Sequence, residues 1–289
     1  MNKNSKLRRR LRPIAWDGLS LALRPTLGWR RLPDYLIVGT QRGGTTSLQN
    51  ALTAHPNITS ARLQKGVHFF DTAYHRGTDW YRLQFPTGVH ARKVERRTGA
   101  PLCVGEASPY YMFHPLAPER IQHDLPSIKL IVVLRDPVER AISHYKHEVR
   151  RGNEELSIDA ALDAEPARLD GEEQRIIDLQ PGYNSFAHQT FSYTARGRYI
   201  EQVGNLITRF GRDRLLVMAS EHVFAHPETA LRRVYEFLDV PISMPDEFPR
   251  MNPTAHSTVP DSVRARLCAT FAEDNEKLFA LTGERYPWQ

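Results

Sequence analysis

Three short stretches of this 289-residue chain carry side chains able to do chemistry. The first, "GTQRGGTTSL" from Gly39 to Leu48, has the G-x-x-x-x-G spacing of a phosphate-binding loop, but Thr45 stands where a nucleotide hydrolase keeps its lysine. Gly43 and Gly44 let backbone N–H groups approach an anion. Thr45, Thr46 and Ser47 add hydroxyl donors at a helix start, and Arg42 is the loop's cation. The second stretch, "LRDPVERAISHY", offers Arg135 and Ser143. They can meet on a second phosphate if the arginine ends a strand and the serine lies two turns into the next helix. The third, "QKGVHFFDTAYHRGTDWY", gathers Lys65, His68 and Asp71 among aromatic residues. A histidine titrates near neutrality and suits removal of a hydroxyl proton, while Lys65 or Arg42 can stabilise a leaving oxygen. Glu106 in "CVGEASPYY" is a further candidate base.

These groups need elements to position them. "DYLIVGT" (34–40) is a short, β-branched apolar run ending in glycine, as a buried parallel strand should, and "TTSLQNALTAHP" continues with helical spacing up to Pro56. "IKLIVVLRD" (128–136) is a second strand. Pro137 falls at a first helical position, and Ile142, Tyr145 and Val149 share one face of the helix it begins. "RLLVMAS" (214–220) is a third strand, with a helix after it through "PETALRRVYEFLDV"; an amphipathic segment at 194–211 precedes it. Strands alternating with helices predict an α/β fold, a central, mostly parallel sheet flanked by helices in three layers. The connections 60–126 and 151–198 are weakly periodic and are expected to build the cleft at the carboxyl edge. Within them the acidic stretch 152–174 is expected to be a solvated helix-loop insertion.

The formal charge of +6 favours anionic partners, yet the first twelve residues, "MNKNSKLRRRLR", carry six cations and no acid. The rest of the chain is close to neutral, so composition argues against a nucleic-acid-binding body. Residues 1–32 are taken as a basic arm that could touch an acidic membrane, and 33–289 as the domain. The apolar run after the arginines is too short and too polar to span a bilayer. Cys103 and Cys268 lie far apart without metal-ligand spacing, so no metal site is expected, and a reducing, cytoplasmic setting fits, with the arm placing the chain at a membrane's periphery.

The loop, the "HFFD...WY" segment and "VVLRDPVERAISHY" together resemble the sulfotransferases that use 3′-phosphoadenosine 5′-phosphosulfate (PAPS), nearest to the bacterial and Golgi carbohydrate type that includes the heparan sulfate enzymes. The likeness runs from about Pro33 to Trp288. It implies a P-loop-like fold, no metal, and a PAPS/PAP pair as co-substrate and product, with the 5′-phosphosulfate on Arg42 to Ser47 and the 3′-phosphate on Arg135 and Ser143. The acceptor it implies is a hydroxyl, or an amine, of a glycan, glycolipid or small metabolite. Two positions depart from the family pattern. Gly66 stands where the heparan enzymes keep a glutamate base, and Ala107 where they keep a lysine, so the base falls to His68 or Glu106 and the acceptor should differ. The alternatives are a P-loop kinase or NTPase and a degenerate nucleotide-binding protein. Arg196 and Arg198 could reach the nucleotide or an acidic acceptor, and "RMNPTAHST" (250–258) falls where relatives close over the nucleotide.

Overall fold

The computed structural model describes residues 22–61, 66–180, 182–248 and 259–288. Five parallel strands form one sheet: β1 (Tyr35–Gly39), β2 (Ile58–Ser60), β3 (Cys103–Ala107), β4 (Lys129–Leu134) and β5 (Leu215–Ala219), in the order β2-β3-β1-β4-β5. The helices, in chain order, are α1 (Thr45–Thr53), α2 (Phe69–Thr72), α3 (Gly77–Leu83), α4 (Gly88–Thr98), α5 (Ala117–Asp124) and α6 (Pro137–Arg151). They continue with α7 (Ile158–Leu169), α8 (Glu172–Asp178), α9 (Phe186–Thr190), α10 (Tyr199–Phe210), α11 (Ser220–Ala225), α12 (Pro227–Leu238) and α13 (Asp261–Thr282).

The sheet is buried on both faces, and the alternation along a strand decides which side chain goes where. Leu36 and Val38 of β1 join Leu130, Val132 and Leu134 of β4 against Tyr199, Val203, Leu206 and Phe210 of α10. Tyr35 and Ile37, with Ile131 and Val133, pack on Leu48 and Leu52 of α1 and on Val234 and Tyr235 of α12. This is the three-layer α/β architecture expected from the strand–helix alternation. The chain leaves β1 toward β3 and β2 on one side and later fills β4 and β5 on the other. The strand order reverses beside β1, and a ligand cleft belongs at the carboxyl ends there.

Two expectations need correction. The 60–126 connection is not irregular throughout: it contains β3, which sits between β2 and β1 and pairs with both. Its sequence, "CVGEA", hides the strand because a glycine and a glutamate interrupt the apolar run; Gly105 is there because the ring of Tyr35 fills the place of a side chain. The acidic stretch 152–174 is not simply solvated. Glu154, Glu165 and Glu172 are buried, with Glu165 accepting the Thr194 and Ala195 N–H groups and Glu154 taking Arg168 and the Tyr193 hydroxyl. Charge runs cannot reveal such partners, since Tyr193, Thr194 and Ala195 lie outside the stretch.

Among the described residues no helix is long and apolar enough to cross a membrane.

Candidate active site

The loop after β1 is shaped by close packing. Thr40 N–H bonds to the Val133 carbonyl of β4 at 2.9 Å, and a Cβ at Gly43 would collide with that same carbonyl oxygen, so glycine is required there. Gly44 caps α1 without a side-chain acceptor; the Ser47 N–H turns back to the Gly44 carbonyl at 3.0 Å, which leaves the Thr45 and Thr46 N–H groups at the open end of the helix. Thr46 is half-buried beside that opening, whereas Thr45 and Ser47 are buried at the start of α1.

Arg42 stands at φ 71°, in the left-handed region that costs a residue with a Cβ about 1–2 kcal/mol. Its Nε donates to Ser143 Oγ of α6 at 3.0 Å. The arginine that the sequence assigns to one phosphate and the serine that it assigns to the other are therefore in direct contact. Arg135, at the end of β4, donates to the Arg42 carbonyl at 3.4 Å. Its pairing with Glu139 is loose, 3.8 Å, because Glu139 holds Arg264 at 2.6 Å. Asp136 is occupied as the cap of α6, accepting from Val138 N–H at 2.8 Å, so it is not presented as a magnesium ligand. Trp288 closes this corner: its indole and the Asp136 N–H both donate to Glu221.

Burial and the like charges of Arg150 and Arg135 lower the pKa of Arg42 from its ordinary value. Two further arginines stand behind it. Arg140 is fully buried, with Nε and Nη1 unpartnered among the described residues. Arg196 is buried between Tyr110 and Phe113 and bonds the Gln41 side chain and the carbonyls of His188 and Gln189; its Nε is unpartnered among the described residues. Burial, with the charges of Arg196 and Arg140, holds His144 neutral, its pKa well below the usual range. This concentration of positive charge fits a nucleotide with two phosphate groups. Of the two arginines the sequence offered as able to reach the nucleotide or an acidic acceptor, Arg196 is the one drawn in against the loop, through the Gln41 side chain. Arg198, beside it, does face outward and meets Asp274 at 3.6 Å.

The third group stands at the same sheet edge, over β3. His68 has φ 53°, and its N–H is held by Ser108 Oγ at 3.0 Å. Its Nδ1 lies 2.7 Å from Asp71 Oδ2, with the imidazole 41% exposed and the carboxylate enclosed. A ring bonded through Nδ1 presents Nε2 to the outside. Burial disfavours the charged ring, but the Asp71 charge and hydrogen bond outweigh it and raise the His68 pKa above 6.5. Gly66, at φ 66°, leaves room for this arrangement, since a Cβ there would be 3.2 Å from His68 Nε2. Glu106 lies beneath the site, 1% exposed, taking the Tyr111 hydroxyl at 2.7 Å and that of Tyr81 at 3.3 Å. Burial pushes its pKa up to about 7, against the pull of Tyr111 and His68. Lys65 and residues 250–258 lie outside the described residues.

The geometry thus brings a cluster of cations, Arg42, Arg135, Arg140 and Arg196, to the same sheet edge as an imidazole–carboxylate pair bonded through Nδ1. Residues 32–279 match the family model of the sulfotransferase domain, and the chain belongs to that family. It is an enzyme of sulfuryl transfer, in a family whose donor is PAPS. Its relatives include the mouse heparan sulfate glucosamine 3-O-sulfotransferase 6, 29% identical over 306 residues that span 94% of this chain and 77% of that protein. The membrane-associated sulfotransferase kil1 of Dictyostelium discoideum is 24% identical over 324 residues, 89% of this chain and 67% of its own. A solved sulfotransferase from Alicyclobacillus acidocaldarius superposes with a TM-score of 0.65 at 28% identity, covering 89% of this chain and 98% of that one. The kinase or NTPase alternative is not favoured, in keeping with the absent loop lysine and the use of Asp136 as a cap.

Proposed function

We propose that this chain moves the sulfuryl group of PAPS to a carbohydrate hydroxyl, with His68 as the base. The observation that carries the reading is the 2.7 Å contact between His68 Nδ1 and Asp71, on the same sheet edge as Arg42, Arg135 and Ser143. Asp71 fixes the tautomer, so Nε2 is the atom that receives the acceptor's proton. The acceptor oxygen forms its bond to sulfur as the bond from sulfur to the 5′-phosphate oxygen breaks. The electron pair stays on that phosphate, beside the cations of the loop. The products are a sulfate ester and adenosine 3′,5′-bisphosphate.

In this reading the loop, from Arg42 through Gly43, Gly44, Thr45, Thr46 and Ser47, holds the 5′ end. Arg135 and Ser143 hold the 3′-phosphate, and Lys65 adds a cation next to the reacting oxygen. Glu106, the other candidate base, supports from below: its enclosed carboxyl takes the Tyr111 and Tyr81 hydroxyls and faces His68 electrostatically.

A glycan or glycolipid hydroxyl is the acceptor class supported by the relatives that act on heparan sulfate. Gly66 and Ala107 remove one acidic and one basic side chain from the acceptor side, which argues for an acceptor less charged than theirs. An amine is the second choice, and a small metabolite fits the same opening. The unlinked thiols Cys103 and Cys268 support a cytoplasmic setting. Incubation of the protein with ³⁵S-labelled PAPS and a glycolipid extract tests the proposal. A labelled lipid that disappears in His68→Ala supports it, and label confined to free sulfate refutes the acceptor class.

A further inference from the structure

Away from the site, helix α4 has an outer face that the reaction does not use. It buries Ala91 and Val94 and turns Val89, Arg92, Lys93 and Arg96 outward, at positions i, i+3, i+4 and i+7. Arg97 flanks this row, and Glu95 is the helix's single acidic residue. Beside the helix start stands Trp29, 68% exposed, with Val89 59% exposed. The two belong to one surface, for a Cβ on Gly88 would sit 3.4 Å from the Trp29 carbonyl.

The tryptophan is not on a dangling end. It closes a 3₁₀ turn, Arg24–Trp29, that is tied down immediately afterwards. Arg30 pairs with Thr87 as an isolated bridge, its guanidinium donates to the Phe85 carbonyl at 2.7 Å, and Arg31 N–H donates to the Pro86 carbonyl at 3.0 Å. A large aromatic ring held out to solvent, next to an exposed valine and a row of cations, is an arrangement that water alone does not reward.

We propose that this face docks on an anionic lipid bilayer, with Trp29 and Val89 entering the headgroup boundary and Arg92, Lys93 and Arg96 meeting lipid phosphates. Charge complementarity selects a polyanion, and the apolar pair selects a bilayer over a soluble one: a dissolved glycan or nucleic acid offers nothing to a valine. The six cations of residues 1–12 precede this same turn in the chain and add charge of the same sign. The inference does not depend on the sulfuryl-transfer reading.

The test is sedimentation of the full-length protein with vesicles of phosphatidylcholine alone and of phosphatidylcholine with phosphatidylglycerol. The protein should pellet with the anionic vesicles only, be released by about 0.5 M salt, and show a blue shift of tryptophan emission on binding. Trp29→Ser with Val89→Ser, and separately Arg92→Glu with Arg96→Glu, should each lower the partition coefficient by on the order of tenfold or more, with circular dichroism unchanged. The first pair should also abolish the blue shift. Absence of binding to anionic vesicles would overturn the proposal. So would wild-type binding by both variants, which would leave the N-terminal arm alone responsible. Weaker retention of the charge variant on heparin with unaltered vesicle binding would assign the face to a soluble polyanion instead.

Discussion

Replacement of Asp71 by asparagine separates the role assigned to the His68–Asp71 pair from simple packing. The substitution keeps volume and the acceptor oxygen that Thr72 N–H uses at 2.5 Å, but removes the charge that faces Nδ1 at 2.7 Å. Hydrogen bonds to a charged group contribute about 1.5–3 kcal/mol, and the partly exposed ring places this one toward the lower end. At about 1.4 kcal/mol per decade, the turnover number should fall about 10- to 100-fold, with the KM for PAPS little changed. The pH profile gives the sharper readout. Because Asp71 raises the His68 pKa, and only the neutral ring accepts a proton, wild-type kcat should climb with pH through a midpoint above 6.5. Without the carboxylate, burial dominates, and the midpoint should move to lower pH. ³⁵S transfer to a glycan acceptor from about pH 5 to 9, for wild type, Asp71→Asn and His68→Ala, measures both effects. An acidic limb that stays in place in Asp71→Asn, or persists in His68→Ala, refutes His68 as the base.

Joint replacement of Arg135 and Ser143 by alanine should abolish retention on immobilised adenosine 3′,5′-bisphosphate; undiminished retention would remove both from the nucleotide site. Arg196→Met should raise the KM for PAPS more than it lowers kcat, since this side chain reaches the loop through the Gln41 side chain, and isothermal titration with the bisphosphate reports the change directly. Gly66→Ala should lower stability by about 1 kcal/mol, or the melting temperature by about 2 °C, because a Cβ is placed at φ 66° beside the His68 ring; calorimetry decides. Glu106, with its pKa raised to about 7, binds its proton more tightly folded than unfolded, so the protein should lose stability as pH rises from about 4.5 to 7. The Glu106 share is on the order of 3 kcal/mol, and urea midpoints at about pH 5 and pH 8 should differ less in Glu106→Gln.

How much of the molecule was legible in its sequence depends on how far each signal reaches along the chain. β1, β4 and β5 are continuous apolar runs, and the turn residues behind two of them are phosphate-loop and N-cap residues, so the frame of the site was visible. β3 was not, because its buried glutamate takes the Tyr81 and Tyr111 hydroxyls on one carboxylate oxygen, and no local pattern encodes that. The spacing in each motif pointed to Arg42, Ser143, Arg135 and His68. The direct Arg42–Ser143 bond joins residues a hundred positions apart and appears only once β1 and β4 lie side by side. Arg196 and Arg198 were both candidates that spacing could not tell apart: an arginine at a helix start is usually solvated, and it is the aromatic pair Tyr110 and Phe113, from another segment, that encloses Arg196.

The order of the strands has a consequence for how such an enzyme can diversify. In the proposed reading, donor contacts come from the turns after β1 and β4, whereas His68, Gly66 and Ala107 cluster around the end of β3, across β1 from β4. The two halves of the chemistry are anchored to neighbouring but separate supports. Exchanging side chains around β3 can therefore retarget the enzyme to a new hydroxyl while its grip on the nucleotide stays as it was, and departures from the family pattern at Gly66 and Ala107 fall where change of that kind is least costly.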